Sequence, residues 1–524
     1  MVTDTSRRAF ILGLDGIPWN LIEQWTETED LPNFARLIAE GASGPLESSK
    51  PANTPVAWPS IATGTWPDRH GIYEFMKVAE NYTQRPYTRN DIREPTLWEM
   101  LTPAVVANLP MTYPPAPIDG KLVTGMMTPS LSARFAFPES LEAQIKREIP
   151  DYQIELRWHE YDGRKAEFLE ELTTLVENRR QLMRLLMADD DWRLFFFVYV
   201  APDRLQHLIW DEAVLLAHYQ LLDEILGEVM DYATERDATL FVVSDHGFGP
   251  IDRVVSVNRL LVEEGFLVPK SQTGTRGVLS TLGITKPRVL GALARIGLTE
   301  QRLVHALPDE LVNAAARQIP GTHQLHDVDH SQTTAFLHGL GSIYLNDTER
   351  FDEGIVAPAE KAQVKTHLMG VLERLTDPET GERVLTVYDG ATLNPRDPDG
   401  PDIVVTANEG YLIEPTLSPH IIADSRVAEA YHRPEGIFFA WGSDIEAGVT
   451  VRDATVVDVA PTVLHAAGEP VSSGADGRVL AEIFTADSTH AVETREYTRS
   501  QAAGAVAEDY SDVEDRLRGL GYLE

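Results

Sequence analysis

Short apolar runs of strand length alternate along this chain with longer stretches of helical periodicity. That alternation narrows the possible folds more than any other feature. The runs 9–14, 104–108, 194–200, 239–244, 402–406 and 436–441 are rich in Val, Ile or Phe and bounded by Asp, Gly or Pro, so they read as buried strands. Between them, 31–40, 138–148, 165–188, 211–236 and 357–375 carry apolar residues at helical spacing. In 211–236 these are Val214, Leu215, His218, Leu221, Leu222, Ile225, Leu226 and Val229. Strand–helix alternation predicts an α/β fold with a largely parallel sheet covered on both faces. Ligands in such sheets sit beyond the carboxyl ends of the strands.

Residues 268–330 break the rhythm. Gly, Ser, Thr and Pro open the stretch from Pro269 to Pro287, helical patterns follow at 288–297 and 300–318, and the polar run His323 to His330 closes it. The expected organisation is a core in two parts, 1–267 and 331–484, interrupted by an inserted helical cap at 268–330. A polar tail, 485–524, follows, with a short helix expected at 511–519.

Charge and cysteine content exclude several function classes. The chain has 81 Asp plus Glu against 45 Lys plus Arg, a net charge of −36, and no cysteine. That excludes a disulfide scaffold, an Fe–S site and a thiol nucleophile, and it disfavours a nucleic acid polymer as partner. The acidic residues are dispersed and the bases are mostly Arg. This is the surface of a protein kept soluble in concentrated salt, a halophilic adaptation. Such a surface repels anionic ligands at low ionic strength, so any activity on an anionic substrate is expected to rise with salt. A salt-independent rate from folded protein would break that link. No run approaches the ~18 apolar residues of a membrane span, and Ala9 to Leu14 ends at Asp15, too short for a leader. The expected location is cytoplasmic; oligomeric state is not legible.

The residues able to do chemistry gather at strand ends. Asp15 closes the first strand, and Asp203 and His207 follow 194–200 at a spacing of four. Asp245 and His246 close 239–244, and His432 precedes 436–441. Thr54 precedes Pro55 at a helix start, where the positive end of the helix suits a nucleophile attacking phosphate or sulfate. Singly, each is an ordinary cap, turn or satisfied histidine. Together, three Asp, three His and one Thr supply two sets of hard ligands, enough for two divalent cations of the kind that stabilise phosphoryl transfer.

The segment Thr54-Pro-Val-Ala-Trp-Pro-Ser-Ile-Ala-Thr-Gly-Thr-Trp-Pro-Asp-Arg-His-Gly-Ile72 resembles the nucleophile segment of the alkaline phosphatase superfamily. The closest branch is the type I phosphodiesterase/nucleotide pyrophosphatase group. Leu12-Gly-Leu-Asp-Gly16, Pro202-Asp-Arg-Leu-Gln-His207, Val243-Ser-Asp-His-Gly-Phe-Gly249 and His432-Arg-Pro-Glu-Gly-Ile437 follow in that family's order, and Asp458 to Leu464 is similar to its closing helix. With the acidic surface, the resemblance implies a halophilic archaeal member, folded as a three-layer sandwich of mostly parallel central sheet between helices, with an inserted cap. It further implies that Asp15, Thr54, Asp245 and His246 hold one metal and Asp203, His207 and His432 the other. Zn²⁺ is favoured and Mn²⁺ second. Thr54 would form a phosphoryl-enzyme intermediate, cleaved by water at the second metal. The implied substrate is a small phosphate ester, a diester above all. Transfer to an alcohol in place of water is the alternative, and a non-catalytic binding protein of the same fold the weakest. The absent cysteine removes the sulfatase branch.

The chain departs from the family at one position. Nucleotide pyrophosphatases carry a phosphate-binding Asn five residues after the His of the His-Gly-Ile segment, and here that residue is Phe75. The candidate replacements are the Val56 backbone N–H, Lys77 and Lys121. Among the remaining residues, His70 reads as structural and Trp58 and Trp66 as packing. His323, His326 and His330 with Asp327 and Asp329 read as a polar surface turn, and Met111 to Pro115 as a lining of the pocket.

Overall fold

The computed structural model describes residues 7–161, 163–270, 325, 328–425, 429–486, 488 and 492–499. The expected cap helices, His323, His326, Asp327 and the helix at 511–519 lie outside them.

The strands read from the sequence form where expected, and five of the six join one sheet. Its ten strands run in the order Val449–Thr450, Ala42–Glu47, Glu435–Trp441, Ala238–Val243, Arg8–Leu14, Leu194–Tyr199, Ala104–Ala107, Gly120–Val123 and Ala136–Phe137, with Ala454–Thr455 also against Ala42–Glu47. Pairing is parallel except where Glu435–Trp441 and Ala136–Phe137 meet their neighbours, so eight of the ten strands share a direction. Successive side chains of Arg8–Leu14 divide between the faces. Phe10, Leu12 and Leu14 pack with Phe195, Phe197 and Tyr199 under helices Trp19–Glu27, Pro32–Glu40, Lys165–Met187 and Glu212–Glu235. Ala9 and Ile11 pack with Phe196 and Val198 under helices Thr54–Thr63 and Val459–Ala466. Burial on both faces is why these strands read as continuous apolar runs.

The sixth run goes elsewhere. Ile403–Ala407 belongs to a separate antiparallel sheet with Ala335–His338, Ser342–Leu345 and Leu385–Asp389. Helix Pro358–Glu373 covers it, and the two share a core with Phe336, Leu368 and Val405. The stretch 331–484 therefore divides between this sheet and a return to the central one. Strand Gly247–Ser256 bridges them, pairing with Gly410–Glu414, Ile422–Asp424 and Ala430–Arg433. Of the tail, Thr494–Arg495 lies along Val471–Ser472.

His218, on the inner face of Glu212–Glu235, is buried with Nε2 unpartnered. Burial pushes its pKa down to about 4 from 6.5. A depressed folded pKa means that its contribution to stability is complete above the unfolded value and lost as pH falls through the folded one. Between about pH 7 and pH 4.5 this residue is expected to cost roughly 2 kcal/mol. Urea unfolding of wild type and His218→Leu at the two pH values checks this; an equal loss in both proteins counts against it.

Candidate metal centre

The sheet edge formed by the carboxyl ends of its parallel strands carries the site. Asp15 follows Arg8–Leu14, where Gly16 turns with φ of 76°, a conformation glycine adopts freely. Its backbone joins three loops: Gly16 N–H donates to Asp245 Oδ1 at 3.3 Å, and Gly16 O accepts from Gln206 Nε2 at 2.8 Å. Asp203 and His207 lie on helix Ala201–Leu208, one turn apart and so on one face. Thr54 opens helix Thr54–Thr63. The sequence places His432 before the strand Glu435–Trp441, but it lies on a short strand of its own, Ala430–Arg433. Antiparallel pairing sets it opposite Phe248. Because Glu435–Trp441 runs against the parallel strands, its beginning reaches the same edge as their ends.

All seven residues singled out from the sequence meet here. Asp203, His207 and His432 form one group, and Asp15, Asp245 and His246 another, with the candidate ligand atoms of each within 4.8 Å of one another. The groups adjoin, the His246 and His432 rings stacking at 3.8 Å. The Thr54 hydroxyl lies 3.1 Å from His246 Nε2.

Two histidines have their tautomers set by carbonyl oxygens, which can only accept. His246 Nδ1 lies 3.0 Å from Gly247 O and His432 Nδ1 lies 3.2 Å from Ala52 O. Each Nδ1 is therefore protonated and each Nε2 presents a lone pair to the site. The His432 lone pair lies 3.2 Å from Asp203 Oδ1 and from His207 Nε2. That of His246 lies 3.4 Å from Asp245 Oδ2 and 3.6 Å from Asp15 Oδ1. His207 is clasped by aromatic rings instead, with Trp158 stacked on it at 4.9 Å and Phe248 and Tyr431 edge-on.

The electrostatics of this cluster ask for cations. Asp15 Oδ1, Asp203 Oδ1 and Asp245 Oδ2 are buried without a hydrogen-bond donor. Burial, followed by the neighbouring Asp charges, raises the pKa of Asp15 and Asp245 well above the ordinary carboxylate value. Burial also opposes ionisation of Asp203, yet facing His207 and the Arg204 guanidinium outweigh it and hold its pKa low. Burial presses His207 down to about 4 and likewise lowers His246 well below its ordinary value. Neutral imidazole lone pairs converging with donorless carboxylate oxygens make a cluster that protons satisfy poorly and divalent cations satisfy well.

Two of the replacements considered for the missing Asn, Lys121 and the Val56 N–H, are engaged elsewhere. Lys121 donates to Asp189 at 2.6 Å, and it sits near the start of its strand, at the opposite edge of the sheet. The Val56 N–H donates to Asn53 O at 3.0 Å. Phe75 is a core residue with Ile72, Met111, Met126 and Met127, so Met111 is buried in that cluster. His70 is structural, accepting from Ile72 N–H at Nδ1 and bonding Ser60 Oγ at 3.0 Å. His330 is not a surface residue: it is buried, stacked on Tyr82 at 3.5 Å.

Sequence reasoning missed the groups behind the ligands: Arg204 and Glu155 at Asp203, Trp158 on His207, and the polar role of Trp58. Trp58 packs against Phe196, yet its indole N–H also donates to Asp15 Oδ2 at 3.0 Å. The Gly13 position leaves room for that ring, since a Cβ there would approach Trp58 to 2.6 Å. Trp58→Phe keeps the packing and removes the donor, so kcat/KM for a phosphodiester is expected to fall roughly 10–100-fold with little change in melting temperature. Unchanged kinetics would reduce Trp58 to packing alone.

Comparison with known proteins agrees with this architecture. The family model described as type I phosphodiesterase/nucleotide pyrophosphatase matches residues 9–426. Human ectonucleotide pyrophosphatase/phosphodiesterase 5 is similar in structure, with a TM-score of 0.51 at 12% identity over 90% of this chain and 97% of that one. The murine protein of the same name gives a TM-score of 0.48 at 13% identity over 89% and 96%. No curated protein matches by sequence. No helix among the described residues is long and apolar enough to cross a membrane.

Proposed function

Because this chain belongs to the type I phosphodiesterase/nucleotide pyrophosphatase family and is a hydrolase, we propose that it cleaves small phosphodiesters in two steps through Thr54. The observation that carries this reading is the Thr54 hydroxyl, buried at a helix start and 3.1 Å from His246 Nε2, at the junction of the two ligand groups. Divalent cations held by Asp15, Thr54, Asp245 and His246 and by Asp203, His207 and His432 would supply Lewis-acid polarisation of the phosphoryl oxygens and ease Thr54 ionisation, with Zn²⁺ the best match to mixed imidazole and carboxylate ligands and Mn²⁺ the second.

The residues of the chain do the positioning. In the first step the Thr54 hydroxyl gives up its proton, a bond forms between Thr54 Oγ and phosphorus, and the bond to the alkoxide breaks, the alkoxide taking up a proton as it leaves. In the second, a water oxygen attacks phosphorus, Thr54 Oγ leaves, and the threonine recovers its proton. The helix start favours the negative charge that collects on Thr54 and on the phosphoryl oxygens. With Lys121 and Val56 engaged elsewhere, the Thr54 backbone N–H is the donor proposed for the phosphoryl oxygen. It belongs to the first turn, whose N–H groups have no partner within the helix.

Purified protein supplied with Zn²⁺ or Mn²⁺ in concentrated salt is expected to release p-nitrophenolate from bis-p-nitrophenyl phosphate. No release with either ion at any salt concentration would overturn the reading.

A further inference from the structure

Each carboxylate at the centre turns one oxygen toward the histidines and the other toward the protein behind it, and what stands behind differs between the two groups. Asp15 Oδ2 accepts from the Trp58 indole at 3.0 Å and Asp245 Oδ1 from the Gly16 amide at 3.3 Å. The donors behind both of these carboxylates are neutral. Asp203 Oδ2 accepts instead from the Arg204 guanidinium, Nη1 at 2.6 Å, with both side chains 1% exposed. That guanidinium is locked in place. Its Nε lies 3.3 Å from Glu155 Oε1, itself fully buried, and Nη2 meets the Met126 thioether at 2.7 Å.

Two consequences follow for a cation. With Oδ2 held by Arg204, Asp203 presents Oδ1 alone, 3.4 Å from His207 Nε2 and 3.2 Å from His432 Nε2. The Asp203, His207 and His432 position then offers one carboxylate with a fixed positive charge at its back. The Asp15, Asp245 and His246 position offers two carboxylates whose hydrogen-bond donors are neutral, the Arg204 charge reaching Asp15 without a hydrogen bond. In a buried site, where charges are weakly screened, such a difference acts directly on affinity.

We infer that the centre loads unequally: one ion is held tightly by Asp15, Asp245 and His246, while the ion at Asp203, His207 and His432 exchanges, with its affinity set by the Arg204–Glu155 pair. This rests on the two-cation reading above. Arg204 is a positioning residue, acting through Asp203. A pair serving the fold alone would alter stability without separating the two affinities.

Equilibrium dialysis of chelator-stripped protein against buffered Zn²⁺, with bound metal counted by elemental analysis, tests this. Wild type is expected to bind in two steps, one ion each, the second at least about tenfold weaker. Asp203→Asn should remove the second step and spare the first. Glu155→Gln removes the carboxylate beside Arg204 Nε and should weaken the second step by a further tenfold or so, well beyond any change in the first. Arg204→Gln combined with Glu155→Gln removes both charges and should return the second step to wild-type affinity or tighter. Two ions of equal affinity in wild type would overturn the inference, as would a second step unmoved in Glu155→Gln with normal circular dichroism. If Glu155→Gln does not fold, the charge-balanced double variant decides: a second step weaker than wild type overturns the inference. Protein that binds no Zn²⁺ at all fails the two-cation reading itself.

Discussion

Thr54→Ala is expected to lower kcat/KM for bis-p-nitrophenyl phosphate by at least about a thousandfold, some 4 kcal/mol of barrier, while the fold survives. The size follows from what the hydroxyl does. In the proposed two-step reaction it is the atom that forms the covalent bond, so its loss would remove a reaction path and not one contact among several. The fold survives because, among the described residues, the Thr54 side chain bonds only His246, and the helix is anchored by Trp58, Ile61 and Ala62 in the core. Thr54→Ser, which returns a hydroxyl to the same atom position, should recover a large share of the rate. Acid quenching of wild type during turnover should leave a phosphoryl group on Thr54, detectable by mass spectrometry and missing from the alanine variant. Equal rates in wild type and Thr54→Ala would mean that water attacks directly and that Thr54 is an ordinary helix-start residue.

The candidate ligands were legible in the sequence for a physical reason. In a doubly covered parallel sheet the strands are continuous apolar runs, so a polar residue closing one marks the edge where ligands bind; Asp15 and Asp245 do this. Asp203 and His207 were legible because a spacing of four lies on one helical face. His432 was legible as a residue and not as a position, since its place depends on pairing with Phe248, which is nearly two hundred residues away in sequence. The antiparallel sheet around Ala335–His338 and Ser342–Leu345 was hidden because strands this short carry too little pattern. Arg204 and Glu155 were hidden more deeply. They lie 49 positions apart, and only the packed structure reveals that Arg204 spends its charge on Asp203 and Glu155. Sequence exposes the residues that face a ligand. It conceals those that tune them, because tuning depends on which long-range neighbour stands behind.

Asp245→Asn should abolish turnover and yet stabilise the protein once its metal has been stripped. Asp15 Oδ1 and Asp245 Oδ2 are buried, donorless and close to each other, so without cations the fold carries two carboxylates whose charges repel. One uncompensated buried charge costs on the order of 3 kcal/mol. The wild-type protein recovers this when a cation binds, by RT ln(1 + [L]/Kd), about 4 kcal/mol at a thousand times Kd. Chelation is therefore expected to lower the wild-type melting temperature by several degrees, and Zn²⁺ to restore it. In Asp245→Asn an amide replaces the second charge, and its N–H can reach the same neighbours, Asp15 and His246. The chelated variant should melt above chelated wild type, gain less from added Zn²⁺, and show kcat/KM reduced by roughly a thousandfold or more. The opposite signs separate function from structure: a carboxylate retained for the fold would make its loss destabilising under every condition, whereas one retained for a cation makes its loss destabilising only when the cation is present. A chelated Asp245→Asn that melts below chelated wild type would assign Asp245 to the fold.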